Sequence, residues 1–521
     1  MIQDDAGFSS RVSLNAASNI LRTAVVAATG LMMVPFYIGE LGFGAYAVVF
    51  LATSVSLYFA SASEAVSQAF TRHLALSMRE EGELSARAFS TVVSGMLRCV
   101  LIMLVLCIAV SAAAPYMFDI GQSSLLDVQV LFVSVLASGL VMALADCLCG
   151  VFVASNRLYV SYVAKGSQVL LQALLAVTSN LALGPSLAFV GASSLASSLV
   201  CLAFVAACVH WRVPGAELRK GPLDRRLMTD MGGLGAWSLA CEVGALLFIN
   251  ASLIVANVVL GNDAQATFSI AANVSSMIGT VSIALAATAV PLLYKRYSEG
   301  DPKGVASTAR LFMKASGVSM AFVLAYLAVF APQAIGAWIG PGHDDVAELV
   351  RFLTPAEVVL CAAGPLAHVP VTFMRLRPAA VAICLLGAAN VIGAAAVMAF
   401  AGLGVLGACM VWSLTMLALK MAAYPALASR MTGCSAMLFI RPILLSLALF
   451  AASAVALWEL SAVAEVQASI LSVALPALAL FPAYAVLVAR FAFDRDEKLV
   501  LASFLPEKLR RPAEEIIGIR R

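Results

Sequence analysis

The sequence predicts an all-α integral membrane protein with about fourteen transmembrane helices. Three observations carry that prediction. The chain is 62% hydrophobic and only 12% charged, with a mean hydropathy of +0.97, whereas soluble domains carry about twice that share of charge. Apolar runs close to the roughly 20 residues needed to cross a bilayer recur along its length. A membrane barrel would show alternating segments of about ten residues instead. Finally, Lys and Arg concentrate in every second connection between the runs.

In chain order the spans are read at 12–38, 44–69, 91–113, 128–153, 162–183, 186–209, 233–256 and 266–292, then 311–331, 352–374, 379–401, 403–425, 442–459 and 468–490. The first is long and carries Asn15, Asn19 and Arg22. It is therefore read as a retained helix and not a short signal-peptide core. One set of connections holds Arg72, Arg79 and Arg87, then Arg157 and Lys165, the basic stretch His210–Arg226, Lys295 to Lys314, Arg375 and Arg377, and Arg430 and Arg441. The alternate set holds Glu40, Asp119, Asp127, Asp263, Asp344, Asp345, Glu348, Glu459 and Glu465, and only Arg351 breaks the pattern. The positive-inside rule then places both termini in the cytoplasm. Because the basic residues flank spans, they point to topology and anionic lipid and away from nucleic acid.

The connections are short, the longest lying near 210–232 and 294–310, so no soluble domain is expected and a folded catalytic loop is disfavoured. Leu41-Gly42 follows the first span and Leu260-Gly261 the seventh. An internal repeat is read from this: a six-helix unit at 1–210, a second at 211–430 in the same orientation, two added helices at 431–490 and a cytoplasmic tail at 491–521. Cys147-x-Cys149 lies on an apolar helix without His or further Cys nearby, which favours packing over metal binding, and no disulfide or metal site is expected.

Polar residues fall into stripes. Asn15, Ser18, Asn19, Arg22 and Thr29 share one face of the first span; Ser54, Ser61, Glu64, Gln68 and Thr71 share one of the second. Ser161, Lys165, Gln168, Gln172 and Ser179 do so in the fifth, and Ser269, Asn273, Ser276 and Thr280 in the eighth. Ser and Thr at such positions commonly join membrane helices. Stripes with Arg, Lys, Gln and Asn point to a water-filled cavity, because lipid cannot solvate those groups.

The ionisable residues within spans are Arg22, Glu64, Arg98, Asp146, Glu242, Glu357, His368 and Lys420. Arg98 and Lys420 lie near the cytoplasmic surface, where long side chains snorkel. Arg22 is about ten residues, or roughly 15 Å, deep. From the residues alone two roles stand open for it: an ion pair with Glu64 or Glu242, or a ligand for an anion such as phosphate. The carboxylates Glu64, Asp146, Glu242 and Glu357 are candidates for coupling to protons or sodium, with static salt bridges as the alternative. Neither a catalytic constellation nor a Walker motif is present, and the four histidines are scattered, so no enzyme activity and no cofactor are expected.

The stretch Pro35-Phe36-Tyr37-Ile38-Gly39-Glu40-Leu41-Gly42-Phe43-Gly44-Ala45-Tyr46 resembles the polysaccharide transporter family. So does Gln68-Ala69-Phe70-Thr71-Arg72, with Glu80, Glu81 and Gly82 after it. These are the O-antigen and exopolysaccharide (Wzx-type) flippases of the multidrug/oligosaccharidyl-lipid/polysaccharide exporter superfamily. Ala47 stands where the family often has Gly. The resemblance implies two six-helix bundles facing a central cavity, alternating access, and an inner-membrane location. It implies a polyprenyl-diphosphate-linked oligosaccharide as cargo, with membrane lipids, a polysaccharide polymerase and export machinery as partners. It favours Arg22 as the diphosphate ligand. The binding residues expected with it are Asn19, Gln68, Arg72, Arg98, Lys165, Gln168, Gln172, Asn273 and Lys420. A cation-coupled multidrug exporter of the same superfamily is the alternative. A glycan ligase or polymerase would call for a large outward loop.

Overall fold

The computed structural model describes residues 5–61, 86–154, 157–212, 237–462 and 467–503, and every regular element among them is helical. The helices are α1 Asp5–Leu41, α2 Phe43–Ser61, α3 Ala86–Met117, α4 Leu125–Ala154, α5 Leu158–Leu183, α6 Leu187–Arg212, α7 Trp237–Leu246, α8 Ile249–Leu260, α9 Asn262–Ala287 and α10 Val290–Ser298. They continue as α11 Pro302–Val329, α12 Ala331–Ile339, α13 Asp344–Ala363, α14 His368–Thr372, α15 Leu376–Phe400, α16 Gly404–Leu417, α17 Tyr424–Thr432, α18 Met437–Ser461, α19 Ile470–Phe491 and α20 Arg495–Ser503.

Twelve helical stretches among the described residues are long and apolar enough to cross a membrane, or thirteen if the bent pair α7–α8 is one span. The sequence reading of about fourteen exceeds this by the segment read at 352–374. There α13 carries Asp344, Asp345, Glu348, Arg351 and Glu357 with Pro355 inside it. It gives way to a 3-10 turn at Gly364–Ala367 and then to the five-residue α14. Over 352–374 the segment is helical but in pieces, with Pro355 inside α13 and the interruption at Gly364-Pro365, so it does not count as one long helix.

The helices form two compact units: Met1–Ser269 with Ile383–Ala408, and Ile270–Ala382 with Cys409–Arg521. In the first, α4 packs along α3 and α6, and α5 along α1 and α6. Small residues allow the close approach expected of membrane helices. The Ser138 and Ser198 hydroxyls lie 2.6 Å apart, and Ser194 donates to Ser138 at 2.9 Å, all buried between α4 and α6. Cys147 and Cys149 are buried in the apolar cluster of Phe89, Met96, Phe152 and Val205.

The α7–α8 break bends by 44°. A break inside a membrane frees backbone carbonyls that need new donors. Asn390 of α15 supplies them, its Nδ2 donating to Leu247 O at 3.0 Å, Phe248 O at 2.8 Å and Ser252 Oγ at 2.9 Å. Tyr58 donates to Leu246 O at 3.0 Å. Bare backbone brings the two helices together: a Cβ at Gly387 would lie 2.8 Å from Gly244 O.

In the second unit α11 is the hub, packed by α13 and α18. The α19 helix is pinned to it by two phenols, with Tyr326 donating to Val473 O and Tyr484 to Val318 O, each at 2.8 Å. Lys314 of α11 is buried, and its ammonium sits 2.6 Å from Glu497 of α20, with Arg310 at 3.8 Å from the same carboxylate. Residues 310–314 and 497, both read as cytoplasmic, therefore lie at one end of this unit.

The first unit gives a matching result for the connections read as outward. Asp119, between α3 and α4, donates its N–H to Asn257 Oδ1 at 2.9 Å and accepts from the Asn262 N–H at 2.8 Å. Asn262 donates to Gly44 O at 3.1 Å, and Gln265 donates to Ala47 O at 2.8 Å. The α1–α2, α3–α4 and α8–α9 turns thus meet at one end of this unit.

Candidate functional site

Two ionisable groups inside apolar helices stand out, half-buried Arg22 in the first unit and fully buried Glu357 in the second. Arg22 lies on α1, 17 residues after Asp5 and 19 before Leu41 by subtraction from the helix limits. The apolar part of that helix runs Ala17–Leu41. Arg22 is therefore five residues inside it, roughly 8 Å at helical rise, which is nearer the end than the depth read from sequence.

The surroundings of Arg22 are built by α1 and α5. Asn15 of α1 is buried and accepts from the N–H of Tyr159 at 2.8 Å, which fixes the start of α5 against α1. One turn along, the Arg22 guanidinium stands 5.8 Å from the centre of the Tyr162 ring, within cation–π range. Its Nη2 donates to Asn19 Oδ1 at 3.5 Å. Its Nε is buried and has no hydrogen-bond partner among the described residues. No carboxylate pairs with it among them either. Arg22 is half-buried as a whole, so part of the cation faces outward from the α1–α5 contact. The group has donors to spare and an aromatic ring to hold its plane, which suits recognition of a planar or polyoxygen anion.

Farther along α5, Lys165 is paired with Asp146 at 2.7 Å, and both side chains are partly exposed. Gln168 is buried and donates to Gln172 Oε1 at 3.2 Å and Ser197 Oγ at 3.1 Å. The fifth-span stripe therefore joins α4, α5 and α6, with its Lys and Gln engaged inside the unit. Arg98 is exposed on α3, and Glu242 is exposed on α7. Gln68, Arg72 and Glu64 lie outside the described residues.

In the second unit Glu357 is fully buried on α13. Its Oε1 accepts from the Ser275 hydroxyl of α9, while Oε2 is buried without a partner among the described residues. An ionisable group so placed within a membrane protein is a functional candidate by default. Asn273, two residues before Ser275, is half-buried. Lys420 lies in a π-helical turn, Ala418–Ala423, between α16 and α17, and its ammonium is 4.8 Å from the centre of the Tyr424 ring. Such turns recur at functional positions.

Three participants escape a sequence reading. Tyr162 looks like an ordinary apolar-helix aromatic until α5 lies on α1. Ser275 sits one position off the polar stripe of its own helix. Asn390 is a lone amide in an Ala-rich run, and its role shows only once the α7–α8 break is opposite it.

Fold and site together define a class: an all-helical, multi-pass membrane protein. No family model matches the chain. It is similar to the uncharacterized membrane protein EpsK of Bacillus subtilis (strain 168), with 24% identity over 449 residues that cover 85% of this chain and 88% of that one. Among solved structures it is similar to an inward-facing multidrug resistance transporter of the MATE family of the MOP superfamily. The TM-score there is 0.68 at 15% identity, over 81% of this chain and 98% of that one. It is also similar to the lipid II flippase MurJ in an inward closed conformation, with a TM-score of 0.69 at 12% identity, over 92% of this chain and 99% of that one. The fold is therefore that of the MOP transporters.

Proposed function

We propose that this chain carries a polyprenyl-diphosphate-linked oligosaccharide from the cytoplasmic to the outer leaflet of the inner membrane by alternating access. The cargo would serve exopolysaccharide, capsule or O-antigen synthesis. The observation that carries this reading is Arg22: a half-buried guanidinium inside an apolar helix, with no carboxylate partner among the described residues. A cation in such a helix costs about 2.5–3.5 kcal/mol on insertion scales, and an anionic headgroup offsets that cost. The charge alternation supports cytoplasmic termini. The likeness of fold to a structure named for lipid II flipping supports a lipid-linked cargo. The reading needs no cofactor and no catalytic group. Its partners are membrane lipids and the polymer-making and export machinery that consumes the product. Glu357 is the group we assign to ion coupling, because among the described residues it is a fully buried carboxyl with one oxygen that has no partner.

Arg22→Ala in the producing cell tests this directly. Polymer export is expected to fall by at least about tenfold, the loss of one charge-assisted contact, while the protein stays in the membrane at its normal level. Normal export by that variant removes the assignment.

A second reading, a cation-coupled multidrug exporter, draws on the likeness of fold to MATE transporters together with the buried Glu357. A deletion strain that is hypersensitive to cationic dyes and makes normal polymer would favour it.

A further inference from the structure

One polar network ties three turns of the first unit together. The Asp119 N–H, from the α3–α4 turn, donates to Asn257 Oδ1 at 2.9 Å, and Asn257 Nδ2 donates back to Asp119 O at 2.9 Å. The Asp119 carboxylate reaches two ways. Its Oδ2 accepts from the Asn262 N–H at 2.8 Å and its Oδ1 from the Gly121 N–H at 3.0 Å. Gln265 accepts from Asn257 Nδ2 at 3.0 Å and donates to Ala47 O at 2.8 Å, while Asn262 donates to Gly44 O at 3.1 Å. Asn257 and Gln265 are buried. They link Asp119 to the α1–α2 turn in one continuous chain of bonds. Such networks hold or fail together, because each bond polarises the next and a broken one strands its neighbours.

The closed arrangement also carries a cost. Asn262 is only 5% exposed, and its Oδ1 is buried with no partner among the described residues. A stranded acceptor offsets about one hydrogen bond, and water restores the missing donor when the turns part. Gly44, Gly121 and Asn262 line a cavity of about 600 Å³, so solvent can enter from that side. The turns meet there through bare backbone: a Cβ at Gly44 or at Gly121 would stand 2.7 Å from Asn262 Nδ2. Asn262 is the first residue of α9. That helix belongs to the first unit as far as Ser269 and to the second from Ile270 onward.

We propose that Asp119, Asn257, Asn262 and Gln265 form a latch that opens and closes as one, freeing the α8–α9 turn from the other two. With the termini cytoplasmic the latch lies at the outer end, where it is the gate that parts for the cargo. The gate role rests on the flippase reading. The concerted opening does not.

Hydrogen–deuterium exchange on the full chain in nanodiscs tests the latch, read by mass spectrometry over residues 41–47, 118–123 and 257–265. Two variants are compared with the wild type. Gly44→Ala wedges a methyl group against Asn262 and removes no polar group; Gly44 is not at positive φ, so its backbone accepts alanine. Asn257→Ala removes the central amide. Each is expected to exchange at least about tenfold faster in all three segments, the loss of one or two hydrogen bonds, with the middle of α4 unchanged. Acceleration confined to the substituted segment, spread equally into α4, or absent overturns the latch. The gate role has its own arm. Gln122→Cys and Asp263→Cys place thiols at two exposed positions on facing turns. Joining them with a bifunctional maleimide is expected to stop polymer export, with the treated wild type as control. Export that continues with the turns joined removes the gate role. Concerted exchange together with normal export by Arg22→Ala counts against the flippase reading alone.

Discussion

Arg22 and Glu357 are both ionisable groups inside apolar helices, and their surroundings differ in kind. Arg22 in the first unit is half-buried, held by a ring and a distant amide, with its Nε unpartnered among the described residues. Glu357 in the second is fully enclosed, with the Ser275 hydroxyl as its one hydrogen-bond partner among the described residues. The difference is one of access. A half-open guanidinium can meet a large anion, whereas a sealed carboxyl can exchange only something as small as a proton or a metal cation. Each unit also contains a helix break, and the two are built differently. At the break between α7 and α8 the Asn390 amide nitrogen lies within hydrogen-bond reach of the Leu247 and Phe248 carbonyls and of Ser252 Oγ. The break after α13 is made by Gly364 and Pro365 in a 3-10 turn.

The comparison can be broken most easily at Arg22. Arg22→Ala is expected to lower transport at least about tenfold, and Arg22→Lys to restore part of it, because an ammonium keeps the charge and loses the bidentate fork. Equal loss in both variants would mean the plane of the guanidinium, and with it Tyr162, matters more than charge. Next comes Glu357→Gln. The amide keeps the volume and a hydrogen bond with Ser275, so melting is expected to move by less than about 1 kcal/mol. Transport in proteoliposomes is expected to lose its dependence on a proton or sodium gradient. A variant with its gradient dependence intact would make Glu357 a packing group.

Asn390→Leu tests whether the α7–α8 break is a supported feature. It strands the carbonyls of Leu247 and Phe248, and an unsatisfied buried polar group costs about 1–3 kcal/mol. A drop of that size in unfolding free energy is expected, with little effect on ligand affinity at Arg22. The smallest effect is expected at Gly166, where an added Cβ would meet Arg22 Cγ at 3.7 Å, an ordinary contact. Gly166→Ala should leave transport unchanged and raise stability by up to about 1 kcal/mol through helix propensity. A marked loss of transport would show that Arg22 needs room to move along α5.

The sequence made the class and the end-to-end alternation legible because both depend on composition and loop charge, which are local. Within the second unit Glu497 meets Lys314, and within the first Asp119, Asn262 and Gly44 meet. The segment around Glu357 was harder to read. Its apolar residues read as one continuous span, whereas Gly364-Pro365 interrupts the helix after α13. The fifth-span stripe, read as a cavity wall, has Lys165 paired with Asp146 and Gln168 engaged with Ser197. Which of two polar stripes faces a neighbour depends on helix rotation, and periodicity alone cannot fix that. The contact between the α1–α2 and α8–α9 turns was beyond sequence reading altogether. Asn262 meets Gly44 across 218 residues, and the motif around Gly44 announced a turn without saying what would lie against it.

The central claim is that Arg22 binds diphosphate, and its most direct test is binding itself. The full chain in nanodiscs would be titrated with a polyprenyl diphosphate bearing no sugar, with the wild type and Arg22→Ala compared by native mass spectrometry. The account predicts a dissociation constant about 10–100-fold higher for the variant, the worth of one or two charge-assisted hydrogen bonds. Equal affinity in the two proteins would contradict it.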